Sequence, residues 1–230
     1  MCLIGYIFSA IKNFIFVVLT LLWILLKPRQ RTSCKNFVRK SFMLILFMFS
    51  FFIGGMVIAF RYLLFPYPHG FDIPVYLFII QNAPDIFSLI SYINSLPPLF
   101  GKFFSLLLVW LLFHFIRDFF LLFMLIPVIF SGLFIAGIFL LVTHAFDYKS
   151  AFYSVVMFSF SFVYFRLYLD LISNFIAWSF VPYAFYAISK VKYTKRLISK
   201  WHFIFIILSF VVVLSHIWSG IIFILIIILD

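Results

Sequence analysis

The chain has 230 residues, of which 67% are apolar, 24% aromatic and 10% charged, and its formal net charge is +11. Soluble domains are about 45–50% apolar and about 25% charged, which excludes a water-soluble globule, a disordered protein and a disulfide scaffold. The two cysteines, Cys2 and Cys34, are too few for a disulfide framework or a thiolate metal site. The composition predicts an all-α polytopic membrane protein, with residues 1–230 forming a single transmembrane domain.

Positive charge is concentrated in two short segments. Residues 27–40 hold six of the 17 basic residues, and residues 190–200 hold five. Cytoplasmic loops of membrane proteins carry such an excess of Lys and Arg, so both segments are predicted to be cytoplasmic. Because topology explains the charge, no role in nucleic-acid binding follows.

Helices that cross the hydrocarbon need about 20 mostly apolar residues. Residues 3–26 form the first such run, interpreted as an extra, uncleaved helix; a signal peptide is the alternative, but no small-residue cleavage site follows. Residues 41–65 form a second run, which ends at the prolines of "FPYPHGFDIP". Residues 66–98 are then a partly helical extracytoplasmic loop, and its length favours a functional role.

A helical hairpin is predicted next. Residues 99–116 and 119–142 are two apolar runs separated by Arg117 and Asp118. This turn is expected on the cytoplasmic side, which returns residues 143–150 to the outer side.

The stretch 151–189 is too long for one crossing. It is predicted to start outside, and the basic segment 190–200 after it is predicted to be cytoplasmic, so it must contain an odd number of crossings. Residues 151–165 are therefore predicted to be a short interfacial or re-entrant helix at the outer surface, and 170–189 a single crossing. Residues 201–229 form either one tilted helix or two short helices broken near His216. The total is about six spans and one outer interfacial helix.

This topology places most of the remaining polar residues on the outer side. Ionisable groups in or near a membrane mark functional sites by default, although pairs that only stabilise the fold are the alternative. The residues in question are His69, Asp72, Asp85, His144, Asp147, Arg166, Asp170 and His216.

Asp72 is the candidate catalytic residue of this group. It lies in "PHGFDIPVY", just after a helix end. A carboxylate at the membrane surface could act as a general base on a hydroxyl or hold a divalent cation, which makes such a cation a candidate cofactor. The alternative is a turn in which the Asp72 side chain only closes an Asx turn.

The other candidates have competing structural interpretations. Arg166 and Asp170 are four residues apart, so they could pair on one helix face, while Arg166 alone could bind a phosphate of a lipid-linked substrate. A lone histidine such as His216 is more often structural than a ligand. A mixed metal site is a weak candidate, because its members lie on two loops with no ligand spacing: His69, Asp72, His144 and Asp147.

Three segments of the chain carry a family resemblance. "HGFDIPVYLFIIQNAPDIFSLISYINSLPPLF" contains the pattern "G-x-D-x-P-x-Y" and a following proline pair in the predicted outer loop. "FRLYLDLISNFIAWSFVPYAFYAISK" has an Arg, Asp and Asn stretch that opens a membrane helix, and "VVVLSHIWSGIIFIL" has a His followed by small residues. In this order and with this predicted sidedness, the three segments together resemble prokaryotic GT-C type integral membrane glycosyltransferases.

The resemblance implies transfer of a sugar from a polyprenyl-phosphate donor to a lipid or protein acceptor, on the extracytoplasmic face of a prokaryotic plasma membrane. It implies Asp72 as the general base or metal-associated acid. It implies Arg166, Asp170 and Asn174 as residues lining the donor or acceptor site, with His216 close by. Enzymes of this class are about twice as long or more, so the chain is expected to be an amino-terminal portion.

Two other functions compete with the enzyme. A small transporter or channel subunit would place polar groups at the bilayer midplane and break its helices at repeated positions. Apart from Lys12 and the break near His216, the sequence shows neither feature. A non-catalytic membrane subunit would assemble through its aromatic surface, but this leaves the acidic residues on one side unexplained. The sequence does not indicate an oligomeric state.

Overall fold

The computed structural model describes residues 34–64, 73–95, 102–159, 161, 172–192 and 199–229. These residues form helices and no strand, which confirms the all-α prediction for this part of the chain. The helices are α1 (Cys34–Leu64), α2 (Ile73–Asn82), α3 (Ile86–Ser95), α4 (Phe103–Ile116), α5 (Phe119–Ala145), α6 (Tyr148–Ser159), α7 (Ile172–Lys192), α8 (Lys200–Ser215) and α9 (Ile217–Leu229). The chain divides between Leu46 and Phe47, and the packing described below lies within the second unit.

Two helices are long and apolar enough to cross a membrane. They are Ser41–Phe60 within α1 and Phe119–Ala145, which is the whole of α5. At 1.5 Å per residue the 27 residues of α5 extend about 40 Å, against about 30 Å of bilayer hydrocarbon. The expected total of six crossings remains a prediction.

Small residues bring α1 and α5 into direct contact. The hydroxyl of Ser131 donates to the carbonyl oxygen of Gly54. A Cβ atom added to Gly132 would lie 2.7 Å from the carbonyl oxygen of Phe51, so this glycine is required by the close approach of the two backbones. Such small-residue contacts are a common means of packing helices in membranes.

Helices α5 and α7 pack side by side in parallel. The hydroxyl of Ser179 donates to the carbonyl oxygen of Phe130 over 2.8 Å. Farther along both helices, Nζ of Lys190 lies 3.2 Å from Nδ1 of His144. The two helices therefore end together, and the turn before α5 lies at the other end of the bundle.

This parallel arrangement corrects part of the predicted topology. Residues 143–150 and 190–200 were expected on opposite sides, but His144 and Lys190 are in contact and lie at the same end. Arg117, which directly precedes α5, lies at the opposite end from Lys190, whereas both were predicted to be cytoplasmic. The cause is that α5 and α7 run in the same direction, so the chain must return between them.

Helix α6 makes the first part of this return. The rings of Phe134 and Phe158 meet edge to face with centroids 6.3 Å apart, so α6 runs back along α5. Ala151, Val155 and Ser159 form its buried face. The expected helix at the outer surface is therefore a bundle helix that starts at the Lys190 end.

The last apolar run is two helices, broken at His216. Helix α8 runs antiparallel to α7, since Trp201 contacts Tyr186 near the start of α8. Helix α9 then turns back, and Phe223 packs against Phe185 and Phe205. Their shared core consists of Ala177, Val181, Ala184, Val212 and Phe223. The alternative of one tilted helix is wrong.

The predicted hairpin at Arg117 and Asp118 is present between α4 and α5. Arg117 adopts the left-handed conformation with φ 51° and closes α4, because its N–H donates to the carbonyl oxygen of Phe113. The Asp118 carboxylate accepts from the N–H of Leu121 over 3.0 Å and caps α5. Outside the hairpin, the indole N–H of Trp110 donates to the carbonyl oxygen of Ala83, which joins α4 to the end of α2.

Candidate functional site

A polar network that is largely buried lies where α7 begins and where α8 passes into α9. It consists of Asn174, in the first turn of α7, and of His216 and Ser219 at the junction of the other two helices. We call these three residues the junction network. Because α7 ends at Lys190 and α8 runs antiparallel to it, the network lies at the opposite end of the bundle from that basic residue.

Two hydrogen bonds hold the junction network together, one from the Ser219 hydroxyl and one from the Ser219 N–H. The hydroxyl of Ser219 donates to Oδ1 of Asn174 over 2.9 Å. Nδ1 of His216 lies 3.2 Å from the same hydroxyl oxygen and 3.3 Å from the backbone nitrogen of Ser219. His216 is 8% exposed and Ser219 is 2% exposed, so solvent does not compete for these contacts.

These contacts identify the tautomer of His216. A backbone N–H can only donate, and the Ser219 hydroxyl gives its proton to Asn174. Nδ1 of His216 must therefore accept, which leaves the ring neutral with its proton on Nε2. In this state Nε2 is a hydrogen-bond donor rather than a proton acceptor or a metal ligand.

The side-chain amide of Asn174 is oriented by its hydrogen bond with Ser219. Its Oδ1 is the acceptor for Ser219, so its remaining polar group is the amide NH₂, which can only donate. The remaining polar groups of the junction network, the Asn174 amide and Nε2 of His216, are therefore donors. Neutral donors at a largely buried position suit an oxygen-rich group such as a phosphate or a sugar hydroxyl.

A further contact ties α4 to the helix break. The hydroxyl of Ser105 donates to the carbonyl oxygen of Ser215 over 2.9 Å in a buried position. Carbonyl groups in the last turn of a helix lack partners within that helix, and Ser105 supplies one here. This contact and the link from Ser219 to Asn174 brace the break at His216 from two helices.

Sequence reasoning named Asn174 and His216 and missed Ser219 and Ser105. Ser219 follows His216 by three residues, a spacing at which a side chain next to a helix start can bond the backbone N–H of the new helix. That signal was available in the sequence. Ser105 lies more than a hundred residues before His216, and no local pattern marks it.

The remaining candidates fall into two groups. His69, Asp72, Arg166 and Asp170 lie outside the described residues. His144 and Asp147 are described and lie at the Lys190 end, where Asp147 accepts from the N–H of Ser150 over 2.8 Å and caps α6. That hydrogen bond lowers the pKa of Asp147, so the carboxylate acts as a structural cap. Among the described residues, no group of three His, Cys, Asp or Glu side chains is placed to hold a metal ion.

Comparison of the chain with protein-family models, with curated proteins and with solved structures finds no match.

Proposed function

We propose that the protein is a membrane glycosyltransferase of the GT-C type, or an amino-terminal portion of one. It transfers a sugar from a polyprenyl-phosphate donor to a lipid or protein acceptor. The observation that supports this proposal is the junction network, in which Asn174 and His216, named from separate sequence segments, are joined through Ser219, whose hydroxyl donates to Asn174 and whose N–H donates to His216.

The proposed step is a displacement at the anomeric carbon of the donor sugar. Asp72 takes the proton of the acceptor hydroxyl, and the acceptor oxygen forms a bond to the anomeric carbon. The bond from that carbon to the phosphate oxygen breaks, and polyprenyl phosphate leaves with the bonding electrons. Arg166 and the donors of Asn174 and His216 stabilise the negative charge that grows on this phosphate.

The tautomer of His216 supports this division of roles. Because its Nδ1 already accepts from the Ser219 N–H, the ring is a poor general base and a good donor toward an anion. Proton removal is therefore assigned to Asp72, and phosphate binding to Asn174 and His216. Arg166 and Asp170 complete the substrate site in this proposal.

The proposed location is the plasma membrane of a prokaryote, crossed several times, with the basic segments 27–40 and 190–200 in the cytoplasm. The junction network then faces the outer leaflet, where a polyprenyl-linked sugar is available. The contact between His144 and Lys190 moves residues 143–150 to the cytoplasmic side of this scheme.

The transporter alternative has less support. A solute path needs polar side chains that are directed toward a passage. The buried hydroxyls of Ser105 and Ser131 instead donate to carbonyl oxygens of neighbouring helices. Their role is helix packing.

A donor-turnover assay tests the proposal. Protein in proteoliposomes is supplied with polyprenyl-phosphate sugars and a membrane-lipid acceptor extract, and released polyprenyl phosphate is measured. We expect Asp72→Asn to abolish release, and Asn174→Ala and His216→Gln each to slow it about 100-fold, the effect of removing one donor to a developing negative charge.

Two control variants match these substitutions. Asn82 is exposed and donates to the carbonyl oxygen of Phe78 in its own helix, and His114 contacts the Trp110 carbonyl oxygen in its own helix. Asn82→Ala and His114→Gln should retain full release. Undiminished release by Asp72→Asn would reject the assigned base, and no release by the unaltered protein with any such donor would reject the glycosyltransferase.

A further inference from the structure

A second cluster of polar and aromatic groups lies at the end of the bundle opposite the junction network. It is formed where α5 and α7 end and α8 begins. We call it the basic cluster, and its members are His144, Tyr186, Lys190, Lys200 and Trp201.

The contacts within the basic cluster are continuous. Nζ of Lys190 lies 3.2 Å from Nδ1 of His144 and 5.3 Å from the ring centroid of Tyr186. The Tyr186 ring meets Trp201 edge to face at 5.7 Å. Nζ of Lys200 lies 5.4 Å from the Trp201 ring centroid. Two ammonium groups are thus held against one pair of aromatic rings.

The positive charge of this cluster is not neutralised within it. None of its five members is acidic, and Asp147, the described carboxylate at this end of the bundle, caps α6 through the N–H of Ser150. The sequence adds Lys192 at the end of α7, and Lys195 and Arg196 before α8. An anion from outside the chain is the natural partner of such a cluster.

The surface next to the cluster indicates what kind of anion fits. Beginning one turn after Lys200, the outer face of α8 is exposed and apolar, with Phe203 59%, Ile207 61% and Phe210 63% exposed. These residues are spaced by four and three positions and share one helix face. Charge at the helix start followed by an apolar face matches the shape of a phospholipid, with its phosphate at one end and its acyl chains along the helix.

We propose that the basic cluster binds the headgroup phosphate of an anionic phospholipid, whose acyl chains lie along α8. The ammonium groups of Lys190 and Lys200 contact the phosphate. Tyr186 and Trp201 lie at the level of the headgroups, the position that these residues prefer in membrane proteins. This site is separate from the junction network and does not depend on the glycosyltransferase activity.

The test compares phosphatidylglycerol with phosphatidylcholine as ligands of the purified protein. Binding of each lipid to the full chain in detergent is measured by native mass spectrometry. We expect Lys190→Gln and Lys200→Gln each to weaken phosphatidylglycerol binding about fivefold relative to phosphatidylcholine, the effect of one basic residue near an anionic headgroup. Lys190→Arg should retain the preference.

Arg117→Gln is the matched control, because it removes one positive charge from an exposed position at the opposite end of the bundle. It should leave the lipid preference unchanged. An equal loss of lipid preference in Arg117→Gln would overturn the proposal in favour of general charge attraction. An unchanged lipid preference in both lysine variants would show that the basic cluster does not bind the headgroup. Displacement of phosphatidylglycerol by equimolar inorganic phosphate would overturn it in favour of a free-phosphate site.

Discussion

The hydroxyl of Ser219 donates a hydrogen bond to Oδ1 of Asn174 over 2.9 Å, although 45 residues separate them in the chain. This bond links the first turn of α7 to the first turn of α9. It also orients the amide of Asn174. The geometry of the junction network therefore depends on Ser219, which does not itself contact substrate in the proposed reaction.

Removal of this bond should destabilise the bundle. Ser219→Ala leaves Oδ1 of Asn174 without its donor in a half-buried position, and we expect a loss of about 1 kcal/mol in the free energy of unfolding. The measurement is chemical unfolding in detergent. Ser209→Ala is the matched control, since that hydroxyl only donates within its own helix to Phe205; an equal loss in both variants would contradict the role of the α7 to α9 link.

The contact between α1 and α5 makes a second prediction. Gly132→Ala places a methyl group 2.7 Å from the backbone oxygen of Phe51, so the two helices must move apart, at a cost of about 1–3 kcal/mol. Thermal unfolding and protease resistance measure this loss. Gly55→Ala, whose added Cβ would have its nearest neighbour at 3.2 Å, should cost clearly less. The reverse order would mean that α1 does not pack on α5 through Gly132.

The Asp147 carboxylate, which caps α6, should titrate with an effect on stability. The N–H of Ser150 lowers the pKa of Asp147 below its ordinary value of 3.8. The carboxylate therefore stabilises the fold at pH values above the pKa of the unfolded chain, and this contribution is lost as the pH falls through the lower pKa of the folded state. Melting temperatures of the unaltered protein and of Asp147→Asn, compared from about pH 5 down to about pH 2.5, should converge as the pH falls. A difference that stays constant over this range would exclude titration of Asp147.

The two ends of α5 should be accessible from opposite sides of the membrane. After replacement of Cys2 and Cys34 by serine, Arg117→Cys and Lys149→Cys each introduce one exposed thiol. A membrane-impermeant maleimide should label Arg117→Cys from the outside and Lys149→Cys from the cytoplasm. Labelling of both thiols from one side would contradict α5 as a crossing, and exchanged labelling would contradict the proposed orientation.

The hairpin at Arg117 and Asp118 could be predicted because its signal is local. Two charged residues interrupt two apolar runs, and Asp118 caps the helix that follows through the N–H of Leu121. The break at His216 could not be decided in the same way. It is braced by Ser105 and Asn174, which lie in distant helices, so its stability depends on contacts that no window of sequence contains.

The predicted placement of residues 143–150 at the opposite end from Lys190 was wrong for a related reason. This segment carries one acidic and one basic residue, Asp147 and Lys149, so the distribution of Lys and Arg gives it no preferred side. Its predicted side followed from the assumption that the hairpin turn is cytoplasmic. The contact of Lys190 with His144 shows that His144 and Lys190 lie at the same end of the bundle.

The candidate site was predictable only where a motif marked it. Asn174 and His216 were named from two separate segments, and the structure places both in one network with Ser219. Their roles in a reaction stay predictions, as does the role of Asp72. The donor state of His216 could not be foreseen, because it follows from the position of one backbone N–H.

Helix α8 contains 16 residues, which makes it about 24 Å long. In the proposed orientation, a bilayer with about 30 Å of hydrocarbon becomes thinner beside so short a helix. Phosphate groups of lipids in the outer leaflet then lie closer to His216, at the end of α8. In this proposal the shortness of α8, rather than a deep cleft, brings a lipid-linked sugar to the junction network.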